Sequence, residues 1–285
     1  MNAFKEAKRI EEYVIEMRRY FHKHPEISWK EVNTSNKICE ELDKMNIPYT
    51  RECETGVIGV IEGKKKNPVI GIRADIDALP MKEDTDLEFK SVNEGVAHSC
   101  GHDSHTAMLL GAAKILSENK DQLDCTVKLV FQPAEEFIMD SGAKHMILID
   151  EMKDIDNIVA AHIWSNIDSG TISVDVGPRM SSADTFKIEI KGKGGHGAMP
   201  ADAIDPIVTA GAVISNLQTL VSRELPPTEP CVISVCSFNS GSAPNIIPDM
   251  AVLQGTTRSF NNEIRESYPE KMERIIKSTC ETFRA

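Results

Sequence analysis

The chain has 285 residues, of which 41% are hydrophobic and 27% charged, and its formal net charge is -12 at pH 7. This composition is ordinary for a globular protein of one large or two smaller domains, and it argues against intrinsic disorder. The acidic balance argues against a nucleic-acid partner, because phosphate-binding surfaces present clustered lysines and arginines.

Neither a secretory signal nor a membrane span is predicted. The first ten residues lack the apolar core of a signal, and no stretch reaches the ~18 consecutive apolar residues that a span needs. The seven cysteines are an odd number without framework spacing, which is typical of free thiols in a reducing compartment. We therefore expect a cytoplasmic protein with no membrane partner.

Helices and strands are predicted to alternate in the first part of the chain. Apolar residues recur every three or four positions from Phe4 to Phe21 and predict a helix that ends at His24-Pro25, with His22 and His24 at its polar end. A second helix is predicted from about Trp29 to Met45, with Ser28 as its N-cap. Four strands follow, at 57–61, 69–72, 126–131 and 158–161. A buried helix is predicted between the second and third of them, at 106–116.

The first two of these strands flank the only basic run, Lys64-Lys65-Lys66, which predicts a solvated hairpin turn between them. The second strand leads to Asp75 and Asp77. The two later strands, which we expect to be buried, lead to Glu135-Glu136 and to His162. In open α/β sheets, ligands bind beyond the carboxyl ends of the strands, so these side chains can converge on one crevice.

A second domain is predicted to begin near Gly177-Pro178, where the sequence pattern changes. A strand with alternating polarity is predicted at 184–190, and a glycine loop around His196 follows it. After the loop we expect a helix at 205–222, strands at 231–238 and 250–257, and a final helix at 262–283. The order β-α-β-β-α is that of a ferredoxin-like α+β unit without its last strand. We accordingly place the two domains at 1–180 and 181–285.

The segment from Ala97 to Thr106 holds three of the eight histidines, a cysteine and an aspartate. Cys100 and His102 flank one glycine, so a turn could direct a thiolate and an imidazole to one cation such as zinc. Alone, this pair is equally compatible with a polar loop, and His162 alone with a core histidine. Combined with Glu136 and His162, the pair forms the mixed ligand set of a metal site.

Adjacent carboxylates at Glu135-Glu136 have two interpretations. In isolation they are typical of a solvated acidic turn. After a buried strand, with Pro133 restraining the backbone, they suit a division of labour in which one carboxylate binds a metal and its neighbour transfers the proton of a water. The context therefore favours a hydrolytic site.

Five motifs spread over essentially the whole chain are specific in combination: RADIDALP at 73–80, HSCGHDSH at 98–105, QPAEE at 132–136, GGHGAMP at 194–200 and NIIP at 245–248. The set resembles a family of dinuclear-metal metallopeptidases that includes hippurate hydrolases, N-acyl-amino-acid amidohydrolases and auxin-conjugate hydrolases, relatives of aminoacylases and carboxypeptidases. The resemblance implies an α/β fold, with an aminopeptidase-like catalytic domain and an inserted ferredoxin-like α+β lid that forms a homodimer.

The resemblance also implies roles in the catalytic domain. Cys100 would bridge two divalent metal ions, with His102, Glu136 and His162 as further ligands and Glu135 as the general base. Zinc, manganese, cobalt and nickel all suit such a mixture of sulfur, nitrogen and oxygen ligands. Aspartates would orient the ligands, and these are Asp75, Asp77 and Asp103.

Three further roles are implied in the lid. His196 would reach the partner subunit's site and polarise the scissile carbonyl, while Asn245 and Arg258 would hold the substrate's carboxylate. The expected reaction is hydrolysis of N-acyl amino acids, or related small peptide-like substrates, to a carboxylate and an amino acid.

One expected ligand has no counterpart in this sequence. The family's final histidine ligand follows the lid, whereas His196 is the last histidine here. We therefore expect a C-terminally truncated copy that holds fewer than two metals and turns over poorly. The alternative is a non-catalytic metal-binding or dimerisation remnant of the family.

Overall fold

A computed structural model describes all 285 residues, which divide into two units, Met1–Ile172 and Ser173–Ala285. Each unit has its own cluster of buried apolar side chains. None of the helices combines the length and apolar character needed to cross a bilayer.

The first unit is a five-stranded sheet with helices. The helices are α1 (Ala3–Arg9), α2 (Glu11–Lys23), α3 (Val32–Lys44), α4 (His102–Glu118) and α5 (Gly142–Met146). The strands are β1 (Tyr49–Glu52), β2 (Gly56–Glu62), β3 (Val69–Asp75), β4 (Thr126–Gln132) and β5 (Asn157–Ala160). Their order in the sheet is β1-β2-β4-β3-β5.

The central strand β4 organises this sheet. All seven of its residues are buried, and Leu129 and Phe131 pack in the same cluster as Leu110 of α4. β3 runs parallel to β4 and to β5, and the register pairs Asp75 at the end of β3 with Gln132 at the end of β4. The loops that follow these strands therefore leave from one edge of the sheet.

The lysine run is exposed, as predicted, but the hairpin was wrong. The flanking strands β2 and β3 both pair with β4 and not with each other. β2 is antiparallel to β4 and β3 is parallel to it, so the chain crosses β4 between them. Two strands that follow each other closely in the chain commonly form a hairpin, but here β4, which comes later in the chain, lies between them in the sheet.

Predictions for the two N-terminal helices also needed correction. The first is two helices, α1 and α2, separated at Ile10, and His22 is buried rather than part of a polar end. The second begins only at Val32. Ser28 does not cap it, since its hydroxyl donates to Asp77, and Trp29 has a φ of 62°, which is outside the helical region.

Strand 158–161 was predicted to be buried, and this too was wrong. All four residues of β5 are exposed, Ile158 at 53% and Val159 at 57%. β5 is the edge of the sheet with β3 as its neighbour, so pairing covers one of its sides only. Apolar composition predicted the strand but not its position in the sheet.

The second unit contains the predicted elements and one extra ribbon. It comprises β6 (Asp184–Lys191), β7 (Gly195–His196), α6 (Pro206–Thr219), β8 (Cys231–Ser240), β9 (Ile246–Ile247), β10 (Met250–Ser259) and α7 (Asn262–Phe283). The main sheet is antiparallel in the order β6-β10-β8, and β7 pairs with β9. Asp205 and Asn261 cap α6 and α7 through their side chains, as these residue types commonly do.

Candidate metal centre

The ligand candidates of the first unit come from the ends of its elements. Asp75 ends β3, Glu135 and Glu136 follow β4, His102 begins α4, and His162 follows β5. The convergence predicted from the strand ends is present in the structure. It depends on β3 lying between β4 and β5 and running parallel to both.

His102 lies at the middle of this group and is 1% exposed. Its Nδ1 donates to the backbone carbonyl of Asp77 at 2.9 Å, which leaves Nε2 directed at acidic side chains. Nε2 is 3.7 Å from a carboxylate oxygen of Asp75 and 3.8 Å from one of Glu135 and one of Glu136. These separations are longer than hydrogen bonds.

Two buried polar atoms of the group have no hydrogen-bond partner, His102 Nε2 and Glu136 Oε1. A buried polar atom without a partner costs about 1–3 kcal/mol, so such pairs are rare without a reason. Two ligand atoms that each lie about 2.1 Å from one cation are at most about 4.2 Å apart, and the 3.8 Å between these two atoms meets that bound. The residues present therefore fit a metal ion.

Three sets of side chains place their ligand atoms within 4.8 Å of one another, and His102 belongs to all of them. The sets are Cys100-His102-His162, Asp75-His102-His105 and His102-Glu135-Glu136. Sulfur, nitrogen and oxygen donors in this mixture suit zinc and its neighbours in the first transition row. All four predicted ligands occur among these sets.

The charges of the group are those of a cation site. Burial by itself would lower the pKa of His102, but the hydrogen bond to Asp77 and the charges of Asp75 and Asp77 raise this pKa to about 11. Burial would raise the pKa of Asp75, yet the hydrogen bond from His105 and the nearby charges of His102 and Arg73 hold it well below its usual value. The carboxylates therefore favour positive charge at this position, whether from a proton or a metal.

Glu135 differs from the other carboxylates of the site. Its side chain is 41% exposed, which leaves it accessible to a substrate. Burial raises its pKa, as does the nearby charge of Glu136, although His102 opposes the shift. A carboxylate with a raised pKa takes up a proton more readily, as a general base requires.

The thiol of Cys100 faces His162. Its Sγ lies 3.5 Å from His162 Nε2, and the other ring nitrogen, Nδ1, is 2.5 Å from the carbonyl oxygen of Ile163. His162 is exposed, whereas His102 is buried. The group of ligand candidates is therefore approached by one imidazole from the protein interior and by the other from the surface.

The three aspartates predicted to orient ligands divide into two groups. Asp77 accepts from the backbone N–H of Glu136 at 2.9 Å and contacts His102, so it joins two predicted ligands. Asp75 bonds to His105 and Arg73. Asp103 instead bonds to two side chains of α2, with its Oδ2 at 2.8 Å from His22 Nδ1 and 2.9 Å from Arg18 Nε.

The segment 97–106 contains two further histidines besides His102. His105 is buried and bonds to Asp75 and to the backbone of Ile163. The available signal was its spacing, because a residue three after His102 lies on the same face of a helix. His98 is 7% exposed, both of its ring nitrogens lack partners, and burial lowers its pKa to about 4.

The predicted lid residues all lie in the second unit. His196 is exposed on β7, and Asn245 is adjacent in space, since its carbonyl accepts the N–H of Gly197 at 2.8 Å. Arg258 lies on β10, where its guanidinium bonds to Thr256 and to the carbonyl of Thr257. The β7-β9 ribbon thus brings His196 and Asn245 together.

The chain is similar to known proteins. The family model described as Peptidase family M20/M25/M40 matches residues 71–279. The chain is 42% identical to thermostable carboxypeptidase 1 of Saccharolobus solfataricus over 98% of this chain and 72% of that protein. It is also 42% identical to an N-acyl-L-amino acid amidohydrolase of Geobacillus stearothermophilus, over 95% of this chain and 74% of that protein.

A solved structure is similar over nearly the whole chain. It is a dinuclear metal-binding peptidase of the M20 family from Bacillus subtilis, with a TM-score of 0.80 and 39% identity. The match covers 97% of this chain and 72% of that one.

Proposed function

Since this chain belongs to peptidase family M20/M25/M40, we propose that it hydrolyses the amide bond of N-acyl amino acids or related small peptide-like substrates. The predicted family, the α/β fold with a catalytic and a lid domain, and the metal-dependent amidohydrolase class are confirmed by the family match and by hydrolase relatives at 42% identity. The observation that carries the proposal is the cluster around His102, where a buried imidazole nitrogen and a buried carboxylate oxygen lack partners beside the accessible carboxylate of Glu135.

The metal centre we propose is one for two divalent ions, to which this chain contributes the expected ligands except the family's final histidine. Cys100, His102, Glu136 and His162 would bind them, and Asp75 and Asp77 would orient His102. When bound, the ions polarise the amide carbonyl and lower the pKa of a water to about 7. Zinc, manganese, cobalt and nickel are all compatible with these donors.

The protein's own residues carry the proton transfers. Glu135 takes a proton from the attacking water as a new carbon–oxygen bond forms at the amide carbonyl carbon. It then donates that proton to the amide nitrogen as the carbon–nitrogen bond breaks, which gives a carboxylate and a free amino acid. Its raised pKa suits both steps, because the group must accept a proton and release it again.

The lid residues would bind the substrate's amino-acid end. Asn245 and Arg258 would hold its carboxylate, and a guanidinium suits this because its planar fork matches two carboxylate oxygens. His196 would polarise the scissile carbonyl in the site of a partner subunit. Its exposure on the β7-β9 ribbon supports this role.

A cytoplasmic location completes the proposal. All seven cysteines are free thiols, and Cys100 must stay reduced to bind metal. Free thiols persist in a reducing compartment.

The first test separates metal binding from proton transfer. In a chain extended to include the family's final histidine ligand, Glu135→Gln should keep the bound metal but lose about 100-fold or more in turnover of an acetylated amino acid, because the amide cannot accept the proton. Cys100→Ala should lose metal as well, since the thiolate ligand is gone. Metal content is measured by mass spectrometry of the native protein, and turnover by release of the free amino acid.

The matched control is Glu12→Gln, which changes an exposed glutamate of α2 in the same way. It should leave both metal content and turnover unchanged. Near wild-type turnover in Glu135→Gln would rule out Glu135 as the base.

A second test concerns the homodimer. Glu135→Gln and His196→Ala subunits should each be inactive, but their mixture should regain about a quarter to a half of wild-type turnover after subunit exchange. One site of the mixed dimer then combines an intact Glu135 with an intact His196 from the other chain. If the mixture stays inactive while native mass spectrometry shows mixed dimers, the role across subunits is wrong.

A further inference from the structure

Ile163 contacts three parts of the metal centre, although it has no polar side chain. Its N–H donates to His105 Nε2 at 3.0 Å, and its carbonyl oxygen lies 2.5 Å from His162 Nδ1. Its side chain packs on the backbone of Gly101, where an added Cβ would lie only 2.3 Å from Ile163 Cδ1. One residue therefore joins the loop of Cys100 and His102, the first turn of α4 and the His162 ligand.

We propose that His105 is a positioning residue which acts through the main chain of Ile163 to direct the imidazole of His162 at Cys100. We call His105, His162 and Ile163, with Gly101 beneath them, the Ile163 clasp. The inference rests on the proposed function, because it takes His162 to be a metal ligand. It goes beyond that function by assigning a task to His105 and to the backbone of Ile163.

The hydrogen bonds determine which nitrogen of His105 carries the proton. The N–H of Ile163 can only donate, so His105 Nε2 must accept and carry no proton. The proton therefore sits on Nδ1, which lies 2.6 Å from Asp75 Oδ1. Both ring nitrogens are engaged, so His105 holds the clasp and does not serve as a ligand despite lying near His102.

The hydrogen bond to the carbonyl of Ile163 similarly determines the tautomer of His162. The carbonyl of Ile163 can only accept, so His162 Nδ1 carries a proton, and in the neutral imidazole Nε2 then presents a free lone pair. That lone pair faces Cys100 Sγ at 3.5 Å. Partners of this kind, which fix the tautomer and ring orientation of a ligand, commonly change metal affinity about 10–100-fold.

The position of His162 explains why it needs such support. It is exposed and follows β5, an edge strand of four exposed residues. Its ring contacts those of His105 and Trp164, with centroids 4.5 and 5.5 Å apart, but the side chain stays exposed, whereas His102 is held within a buried helix turn. The clasp supplies the missing restraint from α4, which is firmly packed in the core.

The experiment uses two substitutions that separate the contacts of His105. His105→Gln places an acceptor near the former Nε2 and can still bond to Ile163 N–H. His105→Asn keeps a donor for Asp75 but is too short to reach Ile163. We expect cobalt(II) affinity, followed by thiolate-to-cobalt absorption, to fall about 10–100-fold in His105→Asn and to be largely restored in His105→Gln. His145→Asn, which changes an exposed histidine of α5, is the matched control.

A second measurement uses the unaltered protein without metal, so it does not depend on a variant that folds. Nitrogen-15 NMR should show His105 protonated at Nδ1 only, and the Ile163 amide should exchange slowly with solvent. Protonation at Nε2, or rapid exchange at Ile163, would overturn the proposal. So would wild-type cobalt affinity in His105→Asn.

His162→Ala separates this inference from the function on which it rests. If His162→Ala weakens cobalt binding and His105→Asn does not, the clasp is wrong and the ligand assignment stands. If His162→Ala leaves cobalt binding unchanged, the ligand assignment fails and the clasp fails with it.

Discussion

Gly101 shows how much one residue without a side chain contributes to the metal centre. It lies between Cys100 and His102 with a φ of 93°, in the left-handed region, and precedes α4 as its N-cap residue. A Cβ at this position would meet the side chain of Ile163. Glycine therefore serves two purposes here, the turn and the close approach.

Gly101→Ala should accordingly destabilise the protein and weaken metal binding. The left-handed backbone costs an L-residue about 1–2 kcal/mol, and the collision with Ile163 adds displacement of the segment that carries His162. Gly95→Ala is the matched control, because Gly95 also has a positive φ, 77°, but open space around it. Urea unfolding should show a loss in both variants, and cobalt titration a loss only in Gly101→Ala. Equal cobalt affinity in the two would contradict the collision argument.

For single residues, the residue type and its position in the sequence were enough to predict the candidate metal ligands. Cys100, His102, Glu136 and His162 were predicted as ligands from their chemistry and their place at element ends, and the structure brings them together. The environment of a histidine could not be predicted in this way. His22 was expected at a polar helix end but is buried, because its partners, Asp103 and Glu83, are far from it in sequence.

At the scale of elements, a charged network joins α2 to the start of α4. His22 and Arg18 of α2 both bond to Asp103, and His22 also contacts Glu83. The hydrogen bond to Asp103 raises the pKa of His22, although burial opposes it. The folded protein therefore favours the protonated form of His22.

This network predicts a pH dependence of stability. Since the pKa of His22 is raised in the folded state, its contribution is fully present below the unfolded value of about 6.5 and is lost as pH rises through the higher folded value. His22→Gln removes the titration, so the wild type should exceed this variant in stability by a larger margin at pH 6 than at pH 9. Urea unfolding at both pH values measures the difference, with His145→Gln on exposed α5 as control. A constant difference between wild type and His22→Gln would show that the charge of His22 does not contribute.

At the scale of the whole molecule, the two units have separate cores. The cluster around Leu129 and Phe131 lies in the first unit, and the cluster around Leu217 and Leu253 lies in the second. All proposed metal ligands belong to the first unit. A metal that binds there stabilises the folded form of that unit by mass action.

Metal should therefore protect one unit selectively. At a free metal concentration of 100 times Kd, the first unit should gain about 2.7 kcal/mol. Hydrogen exchange measured by mass spectrometry should then slow in peptides of β4 but not in peptides of β10. Both tryptophans, Trp29 and Trp164, lie in the first unit, so their fluorescence during unfolding should shift with metal as well. An equal gain in both units would mean that they unfold together.

The sequence by itself determined those features that depend on neighbours along the chain. The strands near 69–72 and 126–131, the whole of α7 and the alternating faces of β6 follow from periodicity and capping residues, and the structure confirms them. The motif set likewise identified the family. Local signals of this kind survive because each is formed within a few residues.

Only the tertiary structure decided how these elements meet. β4 lies between β2 and β3 although it follows both in the chain, and this order turned an expected hairpin into a crossover. The exposure of β5, the burial of His22 and the contacts of Ile163 also depend on partners distant in sequence. Sheet order and hydrogen-bond partners are properties of the packed chain, because they follow from which surfaces are buried together, and no local pattern contains that information.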